Sequence, residues 1–409
     1  MVDYPKDWEF LSLKSKLNSE FWLMPATPTY VRYGVPYITS KNIKDGKINF
    51  INSEKITYAD YCKVSSIRKI EYNDILISMI GTIGEIGIVD CDLDFYGQNI
   101  YLIRPNQKEL DSKFFYYAFN LPHNKDSILN NRGGSTQGYL RADSVIQKKY
   151  HFPNISEQKS IAKTLMTFDE HLEKLERLIQ KKKMVRDGAV QDLMTGKTRL
   201  DGFGGEWVEV SFNYVIDELK SGLSRDLKNE DIGIPVIRAN NIENGFLYLD
   251  RDIKYWYVDD PKGAKTENYT IQKNDILVNF INSESKMGTT AMVQENPKRK
   301  TIYTTNILRM RIRESFDSKF IFYMTFTEGY KKYIRDISKV AVNQASFTTR
   351  DYMKFKFDIP IEIQEQKAIA DILTSMDEEI ENLEKEKAKV EKIKAGAMED
   401  LLTGRIRLI

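Results

Sequence analysis

The sequence predicts an α+β fold made of two similar halves in tandem, each a globular domain followed by a long helix. Three observations carry this. Residues 157–200 and 365–408 agree at roughly 20 positions without a gap, far more than shared helical composition gives. Apolar residues in both stretches step in a heptad, with glutamate and lysine between them. The segments ahead of them hold short β-branched and aromatic runs between turns rich in glycine and asparagine.

In chain order, residues 1–152 read as the first globular domain. Tyr37 and Ile38, then 74–77, 86–89 and 100–103, have the length and composition of strands. The aromatic runs 114–119 and 320–326 suit either strand or helix. Residues 153–204 form the first long helix and its linker, with a seam of Ile161, Leu165, Phe168, Leu172, Leu175 and Ile179. The linker carries Gly196, Gly202, Gly204 and Gly205, which make it a connector rather than an element. Residues 205–359 are the second domain. Residues 360–409 are the second helix, with a seam of Ile369, Leu373, Met376, Ile380, Leu383 and Val390.

Lys182 and Arg186 interrupt the first seam, and Lys387 and Lys394 the second. At ~1.5 Å per residue each helix is about 57 Å long, and so narrow an apolar stripe needs a partner. The cheapest partner is the other copy, in an antiparallel coiled coil of pseudo-two-fold symmetry whose lysine stems snorkel at the polar stretch. The alternative is that each helix packs only on its own domain. Antiparallel pairing also brings the tail 405–409, which repeats the start of the linker, close to the N-terminus, so the layout is effectively circular.

The duplication extends into the globular parts as isolated landmarks. Trp8 answers Trp207, Gly34 and Pro36 answer Gly233 and Pro235, and Asn42 with Gly46 answers Asn241 with Gly245. Asn73 and Asp74 answer Asn274 and Asp275; Asp111 and Phe114 answer Asp317 and Phe320; Gln137 and Pro153 answer Gln344 and Pro360. Between the landmarks the halves diverge, as expected for one scaffold carrying two different readers.

Composition excludes several classes. With 41% hydrophobic and 29% charged residues and a net charge of +2, the chain reads as an ordinary water-soluble protein. No apolar run approaches the ~20 residues that span a bilayer, and the N-terminus has neither the basic start nor the apolar core of a secretory signal; the expected compartment is the cytoplasm. Cys62 and Cys91 make no disulfide framework or zinc spacing, and His123, His151 and His171 make no metal-ligand spacing. The glycines from 81 to 87 lack the lysine and hydroxyl of a phosphate-binding loop. Asp74 and Asp275 are more simply turn residues before a strand than nuclease carboxylates. Local basic clusters are Lys181 to Lys183, Lys298 to Lys300, and Arg309, Arg311 and Arg313. The last three alternate, which puts three guanidiniums on one face of a strand and predicts a basic surface there.

The residues that recur at the helix ends carry a family resemblance: Pro360 with Glu365, Gln366 and Lys367; Leu402, Thr403 and Gly404; Thr195 to Leu200 leading to Gly205 and Trp207; and, in the second domain, 235–245, 274–277 and Met287 with Gly288. The chain resembles the specificity subunit of type I restriction-modification systems over its whole length. In one departure, the first domain has Gly81 to Gly84 where the second has 282–288. The resemblance implies two target-recognition domains held apart by the paired helices, and no catalytic centre in this chain. It implies double-stranded DNA, two modification methyltransferase subunits and a restriction translocase-nuclease subunit as partners, with S-adenosylmethionine, ATP and magnesium on those partners. The absence of an amino-methyltransferase motif and of a GxxxxGK[ST] loop agrees.

DNA reading then falls to the two domains, through side chains that suit base edges and phosphates. The first-domain candidates are Thr39, Ser40, Lys41, Asn42, Thr82, Gln98 and Asn99, with Gln137 and Tyr139 in the loop 133–139. The second-domain candidates are Arg238, Asn240, Asn241, Ser283, Lys286, Asn306, Asn343 and Gln344, with Lys298, Arg299 and Lys300 on phosphates. Two rival readings are a specificity subunit of a related methyltransferase-nuclease or phage-exclusion system, which neighbouring genes distinguish, and a protein-binding coiled-coil adaptor, which DNA binding distinguishes.

Overall fold

The computed structural model describes residues 4–23, 27–130, 138–341 and 344–408. The chain forms two compact units, Met1–Glu176 with Lys385–Ile409, and Arg177–Glu384. Each long helix, Ile155–Met194 and Ile363–Leu402, therefore begins in one unit and ends in the other.

In the first unit a four-stranded antiparallel sheet runs in the order Leu17–Leu23, Ile100–Pro105, Ile75–Ser78, Ile86–Ile88. Its apolar runs are continuous because both faces are covered. Ile75, Ile77, Tyr101 and Ile103 meet the helix Ser112–Asn120, whereas Leu76, Ile100 and Leu102 meet Tyr37 and Ile38 of a second, three-stranded sheet. The strand pair Glu9–Ser12 and Lys149–Phe152 closes the domain.

The second unit repeats this topology with the sheet Ile216–Ser221, Ile307–Ile312, Ile276–Asn279, Thr290–Met292 and the closing pair Trp207–Ser211 and Lys356–Pro360. It adds a ribbon of Ile281–Asn282, Gln344–Ser346 and Lys339–Ala341. The two ambiguous aromatic runs are helices, each capped by an aspartate that accepts from backbone amides: Asp111 from Lys113 and Phe114, Asp317 from Phe320.

The repeated landmarks make the same bonds twice. Glu157 is buried and takes both carboxylate bonds from Arg407 at 2.6 and 2.8 Å; Glu365 is buried and takes both from Arg199 at 2.8 and 2.9 Å. The two guanidiniums lie over the rings of Trp8 and Trp207. Gln158 donates to the Pro153 carbonyl and accepts from the Asp111 amide; Gln366 does the same with Pro360 and Asp317. Asp74 pairs with Arg104 and Asp275 with Arg311, each at 2.8 Å. The tail does reach the N-terminus: Arg407 also holds Asp7 at 2.8 Å.

The helices pair antiparallel within each unit. Asp169 meets Lys394 and Glu176 meets Lys387 in the first; Lys182 meets Glu379 at 2.6 Å and Arg186 meets Asp377 at 3.0 Å in the second. The cations that interrupt the seam are thus ion-paired across it rather than only snorkelling. The seam is not uniform. Ile161 and Leu165 sit in the first domain's core together with Leu401 and Leu402 of the other helix, and Ile369 and Leu373 sit in the second domain's core together with Val190, Leu193 and Met194. Leu175, Ile179 and Ile380 are buried, while Phe168, Leu172, Met376, Leu383 and Val390 are only half-buried. Packing on a domain and pairing with the other helix therefore coexist.

Stability follows that gradient. Leu373→Ala should cost about 3 kcal/mol, as a fully buried leucine in a packed core does, and Leu383→Ala about 1 kcal/mol. Urea unfolding of both variants reads the difference; equal losses would mean that the seam is packed evenly.

The alternating arginines are a correction. Arg309 and Arg311 do lie on one face of the strand Ile307–Ile312, but that face is covered. Arg309 is 1% exposed and pairs with Glu218 at 2.6 Å; Arg311 pairs with Glu218 and Asp275. Arg313, beyond the strand, donates to the Ile216 carbonyl. Arg309 and Arg311 thus form an ion-pair network with Glu218 and Asp275, and of the three only Arg313 is exposed.

Candidate nucleic-acid interface

In the first domain the strand Tyr30–Ile38 ends at Thr39, whose amide donates to Asn42 Oδ1 at 2.9 Å, while Asn42 Nδ2 donates to the Asn49 carbonyl at 3.0 Å. Asn42 is buried and acts as a bracket that shapes the turn rather than as a reader. Its neighbours Ser40 and Lys41 are left at the surface. Thr82 Oγ1 donates to the Ser40 carbonyl at 2.8 Å, the Gln98 amide to the Ile38 carbonyl, and the Met79 amide to the Asn99 carbonyl. Tyr139 bridges to Ile80. Thus Thr39, Ser40, Lys41, Thr82, Gln98, Asn99 and Tyr139 gather at one end of the domain. Asn99 holds φ +60°, a conformation asparagine tolerates better than most residues. Gln137 and most of its loop lie outside the described residues.

The second domain builds the same end. The Arg238 amide donates to Asn241 Oδ1 at 2.9 Å, and Asn241 Nδ2 to the Tyr248 carbonyl at 3.0 Å, so buried Asn241 is again a bracket. The Thr304 amide donates to the Ile237 carbonyl and the Phe280 amide to the Asn306 carbonyl, which joins three connections. Ser283 and Lys286 follow the ribbon strand Ile281–Asn282, and exposed Gln344 lies on its partner strand. Asn343 lies outside the described residues.

The triplet 298–300 does not join them. Arg299 forks onto Asp231 at 2.7 and 2.9 Å and reaches the Gly233 carbonyl, at the start of the strand whose far end leads into Arg238. Lys300 pairs with Glu267, and Lys298 is exposed. Sequence reasoning missed Asp252 and Arg251. Asp252 accepts from Arg238, and that guanidinium holds its carboxyl below the usual range; Arg251 pairs with Glu243 and stacks at 3.9 Å on Tyr248. Their signal was the landmark pair Asn241 and Gly245, which marks a hairpin whose far side returns onto the bracket.

Among the described residues no group of His, Cys, Asp and Glu has metal-binding geometry, and no described helix is long and apolar enough to cross a membrane. What the two units share is a rigid bracket; what differs is the side chains it displays. That defines a two-headed reader, one scaffold holding two different sets of polar groups. The type I restriction modification DNA specificity domain matches residues 5–182 and 212–392, and the chain belongs to that family.

Relatives agree along its length. It is 26% identical to a putative type I restriction enzyme specificity subunit, MjaX, of Methanocaldococcus jannaschii, covering 99% of this chain and 95% of that one. It is 22% identical to the EcoKI specificity subunit of Escherichia coli over 68% of this chain and 61% of that one. The fold matches the crystal structure of a type I S subunit from M. genitalium with a TM-score of 0.60 at 17% identity, covering 98% of this chain and 97% of that one.

Proposed function

We propose that this specificity subunit reads a bipartite target, each recognition domain (residues 1–152 and 205–359) owning one half-site, and directs adenine methyltransferase and restriction subunits to it. The observation that carries this reading is the paired bracket: Asn42 and Asn241 make the same buried bonds, while the residues they display are Thr39, Ser40 and Lys41 in one domain and Arg238, Ala239 and Asn240 in the other. Equal scaffolds with unequal readers fit two unequal half-sites. The working compartment is the cytoplasm, and S-adenosylmethionine, ATP and magnesium belong to the partners. Co-expression with the methyltransferase subunit of its system, followed by methylation sequencing, should return two half-sites separated by unspecified bases. A continuous target, or no specific methylation, overturns the reading.

Two methyltransferase subunits fit the duplication. The helices expose equivalent sets on one face: Lys181, Val185 and Gly188 on the first, Lys389, Ile393 and Gly396 on the second. A Cβ at either glycine meets nothing within 4 Å, so the chain's own packing does not require glycine there. Gly188→Ala and Gly396→Ala should each stabilise the free subunit by about 0.5–1 kcal/mol while weakening assembly with the methyltransferase. Thermal unfolding and gel filtration with that partner test both halves; full assembly by the double variant removes these glycines from the docking surface.

A further inference from the structure

We propose that Arg238 reads a guanine in the half-site of the second domain and that Asp252 is the residue that positions it; this rests on the bipartite reading above. Arg238 stands where Thr39 stands in the first domain, three residues before the bracket asparagine, and Asp252 stands where Ser53 stands, seven residues after the bracket glycine. The pair is therefore peculiar to one domain, at a position the shared scaffold leaves free to vary.

The geometry is that of a held guanidinium. Arg238 Nη2 donates to both the carboxylate and the backbone carbonyl of Asp252, each at 2.5 Å, and Asn240 Nδ2 approaches the same carboxylate at 3.4 Å. Asp252 sits at φ +47°, a left-handed turn position that presents its carbonyl and carboxylate on one side. Arg238 Nη1 has no hydrogen bond among the described residues, and two buried atoms beside it, Arg238 Nε and Asn240 Oδ1, also lack one. Nη2 is spent on Asp252 and Nε is enclosed, so Nη1 is the donor this guanidinium keeps for a polar ligand.

The carboxylate chooses which ligand. Asp252 is 59% exposed and negative, so it opposes a phosphate at the same spot, whereas the O6 and N7 acceptors of guanine are uncharged and suit the two N–H groups of Arg238 Nη1 in the major groove. Holding Arg238 in one rotamer raises its discrimination, because a mobile arginine finds acceptors on several bases and on the backbone. A lysine ammonium has no second nitrogen for Asp252 to hold while the first donates to a base.

The test uses the full subunit with its methyltransferase on a library of targets, comparing Arg238→Gln, Arg238→Lys and Asp252→Asn with the parent. One G·C position in one half-site should relax by about tenfold or more with Arg238→Gln. With Arg238→Lys and Asp252→Asn the same position should relax less, while the other half-site stays as specific as in the parent. Arg238→Lys retains the charge beside Asp252, so it keeps the proposal testable if Arg238→Gln unfolds. Unchanged base preference in folded variants, with affinity lowered uniformly and a shallower salt dependence, would make Arg238 a phosphate contact and overturn the assignment. A parent complex without a bipartite target would instead overturn the functional reading on which it rests.

Discussion

Arg199→Ala should lower the stability of the second unit by about 3 kcal/mol, and Arg407→Ala should destabilise the first. Glu365 is 0% exposed and Glu157 1% exposed, and each has its carboxylate oxygens taken by one guanidinium. Deleting that guanidinium strands a buried charge, which is far costlier than losing a surface ion pair. The estimate sits at the low end of the buried range because Arg199 keeps 32% of its side chain exposed, and Glu365 retains the indole of Trp207 at 3.3 Å. Glu365→Gln, which removes the charge together with its need for a partner, should cost less than Arg199→Ala. Urea unfolding followed by tryptophan emission separates the units when it is run in parallel on Trp22→Phe and Trp256→Phe backgrounds, since Trp8 and Trp22 lie in the first unit and Trp207 and Trp256 in the second. Midpoints within error of the parent would show that the buried carboxylates are not sustained by these arginines.

Exchanging residues 1–150 for the recognition domain of a relative should replace one half of the methylated sequence entirely and leave the other half unaltered. Adding four residues to the long helices should change the spacer and not the bases. The physical ground is that the candidate reading loops are bracketed by bonds within their own domain: Asn42 to Asn49, and Thr82 to Ser40. Two such modules reading neighbouring major grooves need centres roughly 34 Å apart, within the ~60 Å of a 40-residue helix. Methylation sequencing of a genome carrying each variant decides it. An exchange that altered both half-sites would show that the domains do not read independently.

Much of the architecture was legible because it is written twice. Glu157, Gln158 and Trp8 recur as Glu365, Gln366 and Trp207, and a repeat on that scale reports shared bonds even before the bonds are seen. The heptad seams gave the helices and their mutual pairing. The clustering of the candidates was half legible: Thr39, Ser40, Lys41, Thr82, Gln98 and Asn99 do gather at one end, and so do Arg238, Asn240 and Asn306. Composition did not separate the brackets from the residues they display, since Asn42 and Lys41 are both polar loop residues until burial distinguishes them. Nor did it place 298–300 away from that cluster, where Arg299 and Lys300 pair with Asp231 and Glu267 at the other end of a strand.

By itself, the sequence determined the duplication, the two α+β domains, the long helices and the family, because periodicity and repetition are local or self-referential patterns. Only the tertiary structure decided what each pattern faces. Alternation placed Arg309 and Arg311 on one side of a strand, but whether that side meets water depends on Glu218 and Asp275, which come from other strands and turns. The heptads likewise marked Leu373 and Leu383 as equivalents, and burial separates them because one lies over a domain core and the other does not. Burial and charge pairing are set by residues distant in the chain, and a single sequence read along its length does not say which of them will meet.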